Sequence, residues 1–329
     1  MKIKILNNKF EVLDTKEKIT IADSFVVRQN KIGGGNGEAK LYVGNDNEEI
    51  REFFGSSGFT IPCFLLKNDL LKYLDETKAE YLNPEQPYNN KNILPSLWAE
   101  RKTKIEALPN KIEFEVTEQI QIDGPRVYVK SNNKAYKLIR ELSLPNITYI
   151  SAVKLLNSNG KLEYYFRLFA DYFGDVEHPY TIVEAKEEID KIEDSKKKII
   201  VSRARVGQGK YREDLLRQSP FCPITMVGED RVLIASHIKP WSKSNEFEKT
   251  DPLNGFMFTP TFDFLFDRGF LSFTNDKKTI LSPFLSKMTY KKLGISDNKL
   301  LPLLTTEGKE NYLEYHRKEI LKREYVELT

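Results

Sequence analysis

The chain has two cysteines, Cys63 and Cys222, and three histidines in 329 residues. Two thiols cannot build a disulfide framework or a four-thiolate zinc site, so structural zinc is not expected. Long apolar runs are also missing. Nothing approaches the roughly 20 residues that a membrane-spanning helix needs, and the opening MKIKILNNKF carries lysines where a signal peptide has its apolar stretch. The expectation is an intracellular, cytoplasmic protein with no membrane partner. Low-complexity tracts and internal repeats are absent as well. What is present is ample core material, with 40% hydrophobic residues, 20 Phe and 16 Tyr beside 30% charged residues, which excludes a disordered or fibrous chain. The length predicts two domains of roughly 150 residues each.

The net charge of +3 says little, but its distribution says more. Residues 1–190 hold 26 Lys and Arg against 29 Asp and Glu, whereas residues 191–329 hold 25 against 19. Eight basic residues fall between Ser195 and Arg217 against only Glu213 and Asp214. A polyanion could dock there, and a solvated lysine-rich helix or linker is the plainer reading of that segment.

The first 175 residues alternate strand-like runs with turns. Strands are expected at Lys2 to Leu6, Thr20 to Val27 and Ala39 to Val43, the last fed by a loop holding Gly33, Gly34, Gly35 and Gly37. That loop lacks the G-x-x-x-x-G-K-[ST] order of a phosphate loop. Leu65 to Leu74 and Lys134 to Leu142 have helical spacing, and Ile147 to Leu156 and Lys161 to Phe169 flank Asn159-Gly160, a hairpin signal. The N-terminal part therefore reads as a mixed, strand-rich domain. The nearly all-charged stretch Glu184 to Lys198 marks the boundary, giving a target-recognition or sensor domain over 1–190 and a second domain over 191–329.

The second domain carries the chemistry. Tyr211 to Arg217 reads as a helix, Phe221 to Thr225 as a compact turn and Val232 to Ile238 as a strand ending in Ala235-Ser236-His237. A polar loop leads to Asn254-Gly255 and a second strand, Phe256 to Phe258. Thr259-Pro260 then starts a helix, with a hydroxyl expected at the N-cap and proline at the first helical position, and Gly269 ends it. Strand, loop, strand, helix makes a ββα unit, followed by a hairpin from Leu271 to Phe273 and Thr279 to Leu281. Asp263 and Asp267 lie four apart, so their carboxylates share a helical face and repel, the second near the negative helix end. A cation should compensate: either Arg268 or a divalent ion, since carboxylate oxygens and water suit magnesium or manganese. His237, at a strand end, is either a hydrogen-bonded structural residue or a general base.

The ordered runs A-S-H-I-K-P-W (235–241), D-P-L-N-G (251–255) and P-T-F-D-F-L-F-D-R-G (260–269) resemble the HNH nuclease family, in the branch that reads A-H-I-x-P-W and D-x-L-F-D-x-G. R-V-G-Q-G-K-Y-R-E-D-L-L (205–216) and F-C-P-I-T (221–225) look like that branch's lead-in, so the resemblance spans roughly residues 203–285. It implies an α+β chain, its strand-rich N-terminal domain followed by a C-terminal HNH domain of the ββα-metal type. In it His237 is general base and Asn254 braces the loop that holds it. Asp263 replaces the family's last, metal-binding histidine, and Asp267 matches a second metal position. Ser236 stands where a metal-binding Asp or His is often found, which leaves water, phosphate or the main-chain oxygen of residue 236 to complete the shell. Arg205, Gln208, Lys210, Arg212, Lys239 and Arg268 are the candidates for nucleic-acid contact.

The implied activity is a Mg2+ (or Mn2+) dependent endonuclease that hydrolyses double-stranded DNA, of restriction type, with site or modification selectivity from residues 1–190. A defence nuclease licensed by a small molecule, and an HNH-fold nucleic-acid-binding protein without catalysis, are the alternatives. One unit cuts one strand, so a double-strand break needs a homodimer, two binding events or a second nick. The last segment, Glu307 to Leu328, is helical in pattern and is expected to pack on the nuclease or on a partner.

Overall fold

The computed structural model describes residues 1–35, 37–122, 124–170 and 210–323. The boundary stretch 184–198, Arg205, Gln208 and most of the basic run from Ser195 lie outside the described residues. The chain is α+β and divides into two compact units, Met1–Tyr172 with Phe284–Lys287, and Phe173–Pro283 with Met288–Thr329.

The N-terminal unit is built on one eight-stranded sheet. Its strands are β1 (Lys2–Ile5), β2 (Asn8–Thr20), β3 (Leu41–Asn45), β4 (Thr60–Leu66), β5 (Lys111–Gln119), β6 (Arg126–Lys130), β7 (Thr148–Asn157) and β8 (Leu162–Ala170). They lie in the order β1-β2-β7-β8-β4-β5-β6-β3, every neighbouring pair antiparallel except β4 with β8. Alternate side chains of the sheet, among them Ile61, Cys63, Leu65, Phe114, Val116, Ile150, Phe166 and Leu168, form one core with the helices α1 (Glu48–Phe54), α2 (Lys67–Glu76), α3 (Lys78–Leu82), α4 (Leu94–Glu106) and α5 (Lys134–Leu142). The helices are amphipathic because they cover one sheet face. In α5 the buried residues Ala135, Tyr136, Leu138, Ile139 and Leu142 make one apolar face at helical spacing. Where the packed helices meet a loop, buried Arg101 donates to the Tyr81 hydroxyl at 2.8 Å and to Asn30 Oδ1 at 2.9 Å, and Asn30 Nδ2 in turn donates to the carbonyls of Glu141 and Ser143. The polar groups that the packing withdraws from water are thereby paired.

Two expected elements differ. Thr20 to Val27 is not a strand; the strand is Asn8–Thr20, and the chain after it turns. The helix expected from Leu65 begins only at Lys67, because Leu65 and Leu66 finish β4, paired with Ile112 and Lys111.

In the C-terminal unit, residues 210–218 are helical (α6). β9 (Ile234–His237) and β10 (Gly255–Phe258) form an antiparallel ribbon with Gly255 opposite His237. Helix α7 (Pro260–Asp267) follows, then the hairpin β11 (Leu271–Phe273) and β12 (Thr279–Leu281) and, near the end, α8 (Glu310–Tyr315) with one wide turn, His316–Ile320. Thr259 holds the N-cap position without a capping bond, and its hydroxyl points instead to the buried Cys222 thiol at 4.0 Å. Gly269 has φ +69°, and a Cβ there would lie 2.1 Å from the Ile320 carbonyl oxygen, so only glycine fits this helix end.

The core of this unit is aromatic. Phe256, Phe258, Phe266 and Phe273 pack ring on ring. His316 closes the cluster, stacked on Phe266 at 3.9 Å, with Nε2 3.0 Å from the Phe266 carbonyl and Nδ1 2.9 Å from the Ser272 hydroxyl. A carbonyl can only accept, so Nε2 carries the proton and Nδ1 accepts from Ser272. Burial pushes this imidazole down to about 3. The folded state thus refuses a proton that the unfolded chain takes up near pH 6.5, and stability is lost as pH falls below that value by about 1.4 kcal/mol per unit. Denaturant midpoints of the C-terminal unit should therefore report a loss of about 2 kcal/mol between pH 7 and pH 5. His316→Phe, which keeps the stack, should flatten most of that slope.

Candidate active site

Two strands and a loop position the central histidine. His237 ends β9, and the loop from Ile238 to Leu253 returns to the partner strand. Its Nε2 lies 3.1 Å from the Lys249 carbonyl oxygen, so in the neutral ring Nε2 bears the hydrogen and Nδ1 is left with the lone pair. The ring is stacked on Tyr211 at 4.2 Å and meets Trp241 edge-on at 5.6 Å. Burial lowers the imidazole below its ordinary value, with the Lys249 carbonyl opposing the shift, so the ring is neutral at physiological pH.

Asn254 is fully buried and holds the loop in shape. Its Oδ1 accepts from the Lys239 main-chain nitrogen at 2.8 Å. Its Nδ2 lies 3.0 Å from the Glu248 carbonyl, 3.2 Å from the Lys239 carbonyl and 3.3 Å from the Ser244 hydroxyl. Its own carbonyl accepts from Ile238 N–H at 3.0 Å and from the Tyr211 hydroxyl at 2.9 Å. One residue thus ties the start of the loop, its middle and the helix behind the histidine. Gly255 must be glycine, since a Cβ would overlap the Tyr211 hydroxyl at 1.9 Å.

Asp263 and Asp267 occupy the first and last turns of α7, on one face. Asp263 is partly buried, and half of the Asp267 side chain meets solvent. Even so, its partial withdrawal from water raises the Asp267 carboxyl, with Arg268 and Lys322 pulling the other way. Arg268 lies 3.9 Å from it, too far for a good hydrogen bond. Two hard oxygen donors one turn apart, one of them resisting ionisation, form a set that a small divalent cation would relieve. No cluster of three or more His, Cys, Asp or Glu side chains suited to a metal occurs among the described residues.

Residues 222–274 match the family model HNH_2, HNH endonuclease. The match supports a nuclease of the HNH type and takes in the ribbon, the loop and α7. A comparison with curated proteins gives no match.

The candidates for nucleic-acid contact divide. Lys210 is exposed at the start of α6. Arg212 donates to the Asp230 carbonyl through Nη2, while its buried Nη1 finds no partner among the described residues. Lys239 is engaged by both oxygens of Glu248, at 2.7 and 2.6 Å, beneath the Tyr315 ring. Ser236 is buried in the ribbon. Sequence reasoning missed Tyr211 as the platform for His237, Glu248 as the clamp on Lys239, and Trp241 as a wall of the histidine's pocket. The spacing of Lys239 and Glu248 around an unstructured loop carries no period from which the pair could be read.

Because Asn254→Ala would leave the partly buried Lys239 N–H and Glu248 carbonyl without their side-chain partner, it should lower the unfolding free energy of the C-terminal unit by about 3 kcal/mol. The His237 ring should also lose its pairing to Lys249, seen as a shift of its Nε2 resonance.

Proposed function

We propose that the protein is a metal-dependent endonuclease that hydrolyses phosphodiester bonds in double-stranded DNA, with His237 as general base. The observation that carries this reading is the tautomer set at His237. The Lys249 carbonyl engages one nitrogen, burial keeps the ring neutral, and the other nitrogen is left able to take a proton from water. As that proton moves to Nδ1, the water oxygen attacks phosphorus in line with the leaving 3′ oxygen. Asn254 keeps the loop, and with it the Lys249 carbonyl, in place throughout. Asp263 and Asp267 would hold a magnesium or manganese ion, which when bound supplies a sink for the negative charge of the phosphoryl transition state. Lys210, which is exposed, would meet phosphate directly, and Lys239 only on leaving Glu248.

Residues 1–190 supply target selection in this reading. The support is that the N-terminal sheet and its helices form a core of their own, a separate body available for recognition. A restriction-type role follows. A homodimer would place two such sites on the two strands.

The test incubates the full chain and magnesium with methylated and unmethylated genomic DNA and sequences the ends produced. Defined ends that depend on site or modification are expected; random ends would remove the restriction role, and no ends the nuclease. His237→Ala should lower the cleavage rate by about 10²- to 10⁴-fold with DNA affinity nearly unchanged. The wild-type rate should fall on the acid side only below about pH 6.5, since burial has moved the histidine's titration downward. Asp263→Asn should abolish cleavage at ordinary magnesium, and full activity in excess chelator would defeat the metal assignment.

A further inference from the structure

Lys309 lies 35 residues beyond the end of the HNH match at residue 274, yet it reaches the loop that the match contains. Its side chain is buried, at 2% exposure, without a carboxylate hydrogen-bonded to it. The ammonium donates instead to two main-chain oxygens, Gly255 at 2.8 Å and Pro252 at 3.0 Å, and lies 5.2 Å from the Phe256 ring centre. These carbonyls flank Asn254, and Gly255 is the residue paired across the ribbon with His237. One turn along α8, the Tyr312 hydroxyl donates to Asp251 Oδ2 at 2.7 Å, while Asp251 Oδ1 caps the Leu253 N–H at 2.9 Å.

Burying an ammonium against neutral partners is costly, and a lysine placed only for packing would be better replaced by an apolar residue. Its three donors suit a place where two carbonyls converge and must be drawn together. We infer that Lys309 is a positioning residue of the nuclease site, its ammonium clamping the carbonyls on either side of Asn254 and so fixing Gly255 and the His237 opposite it. This rests on the reading of His237 as general base.

The clamp is charge-dependent. Burial lowers the Lys309 ammonium to about 8, with Asp251 opposing. The other titratable groups around it, Tyr312 and Tyr211, are both pushed upward, and so stay neutral where Lys309 titrates. As pH rises through about 8 the lysine loses its charge, the two bonds weaken, and the clamp on the loop loosens.

The experiment compares wild type with Lys309→Met, which keeps the length and removes the donors. Steady-state cleavage should show kcat reduced by roughly 10- to 100-fold, as for a misplaced catalytic group, with KM within about twofold of wild type. The wild-type decline above about pH 8 should be missing from the variant. A second measurement needs neither cleavage nor a variant: ring-nitrogen NMR of unaltered protein, in which the His237 signals should move through that same pH range while those of His316 stay still. An unchanged kcat in a folded variant, or His237 signals flat across that range, would overturn the assignment. Moving His237 signals in a protein that cuts no DNA would uphold the clamp and remove the nuclease reading instead.

Discussion

The site depends on one buried amide. Between β9 and β10 the chain runs seventeen residues, from Ile238 to Asn254, with only two single turns of 3-10 helix, Trp241–Lys243 and Pro252–Asn254. A loop of that kind exposes its main-chain groups to burial without a ladder to satisfy them. The Asn254 side chain supplies the missing partners from the loop's far end, its oxygen accepting from Lys239 and its two amide hydrogens shared among three oxygens, of Glu248, Lys239 and Ser244. Its effect on His237 is indirect but strict. Lys249, whose carbonyl fixes the tautomer, directly follows Glu248, whose carbonyl Asn254 holds. A displaced loop would leave both ring nitrogens uncommitted and let water raise the pKa that burial has lowered.

Charge in the site is arranged by the same loop. Lys239 and Glu248 neutralise each other within it, and the histidine is kept neutral by burial rather than by a nearby cation. On α7 Asp263 and Asp267 lie one turn apart, a spacing at which like charges repel, and the helix dipole disfavours the second. Arg268 is only a distant answer to Asp267.

Much of this was legible in the sequence where the signal is local. The hairpin at Asn159-Gly160, with Gly160 at φ +73°, helix α5, and the β11–β12 hairpin form where turn chemistry and periodicity place them. Strand β2 was not legible. Its register is interrupted between Val12 and Asp14 and again between Lys16 and Ile19, so its buried residues do not keep the alternation of a regular strand. Leu65 to Leu74 misled for the opposite reason: a strand ends and a helix begins within one continuous apolar pattern, and periodicity cannot find a junction inside it. In the site, His237, Asn254, Asp263 and Asp267 stand out through ordered motifs. Lys309 and Tyr312 do not, because each acts across more than fifty residues, and a lysine among Glu307, Glu310 and Glu314 reads as surface charge.

The family match and the physical unit consequently have different limits. Residues 222–274 contain the ribbon and α7, but the aromatic cluster they form is finished by groups from outside. His316 covers Phe266 and accepts from Ser272, and Arg317 donates to the carbonyl of Phe273 and to Asn275, each at 3.0 Å. Upstream, Tyr211 supports the histidine, and Leu215 is buried on the same helix. A segment cut to the match would expose the Phe266 face and leave a buried carbonyl unpaired, a loss of several kcal/mol in a small core. The matched segment is thus shorter than the structure needed to hold it, and the additions come from both chain directions. They share one task, which is to let a loop without regular structure present an imidazole in a single tautomer beside a helix that carries two carboxylates.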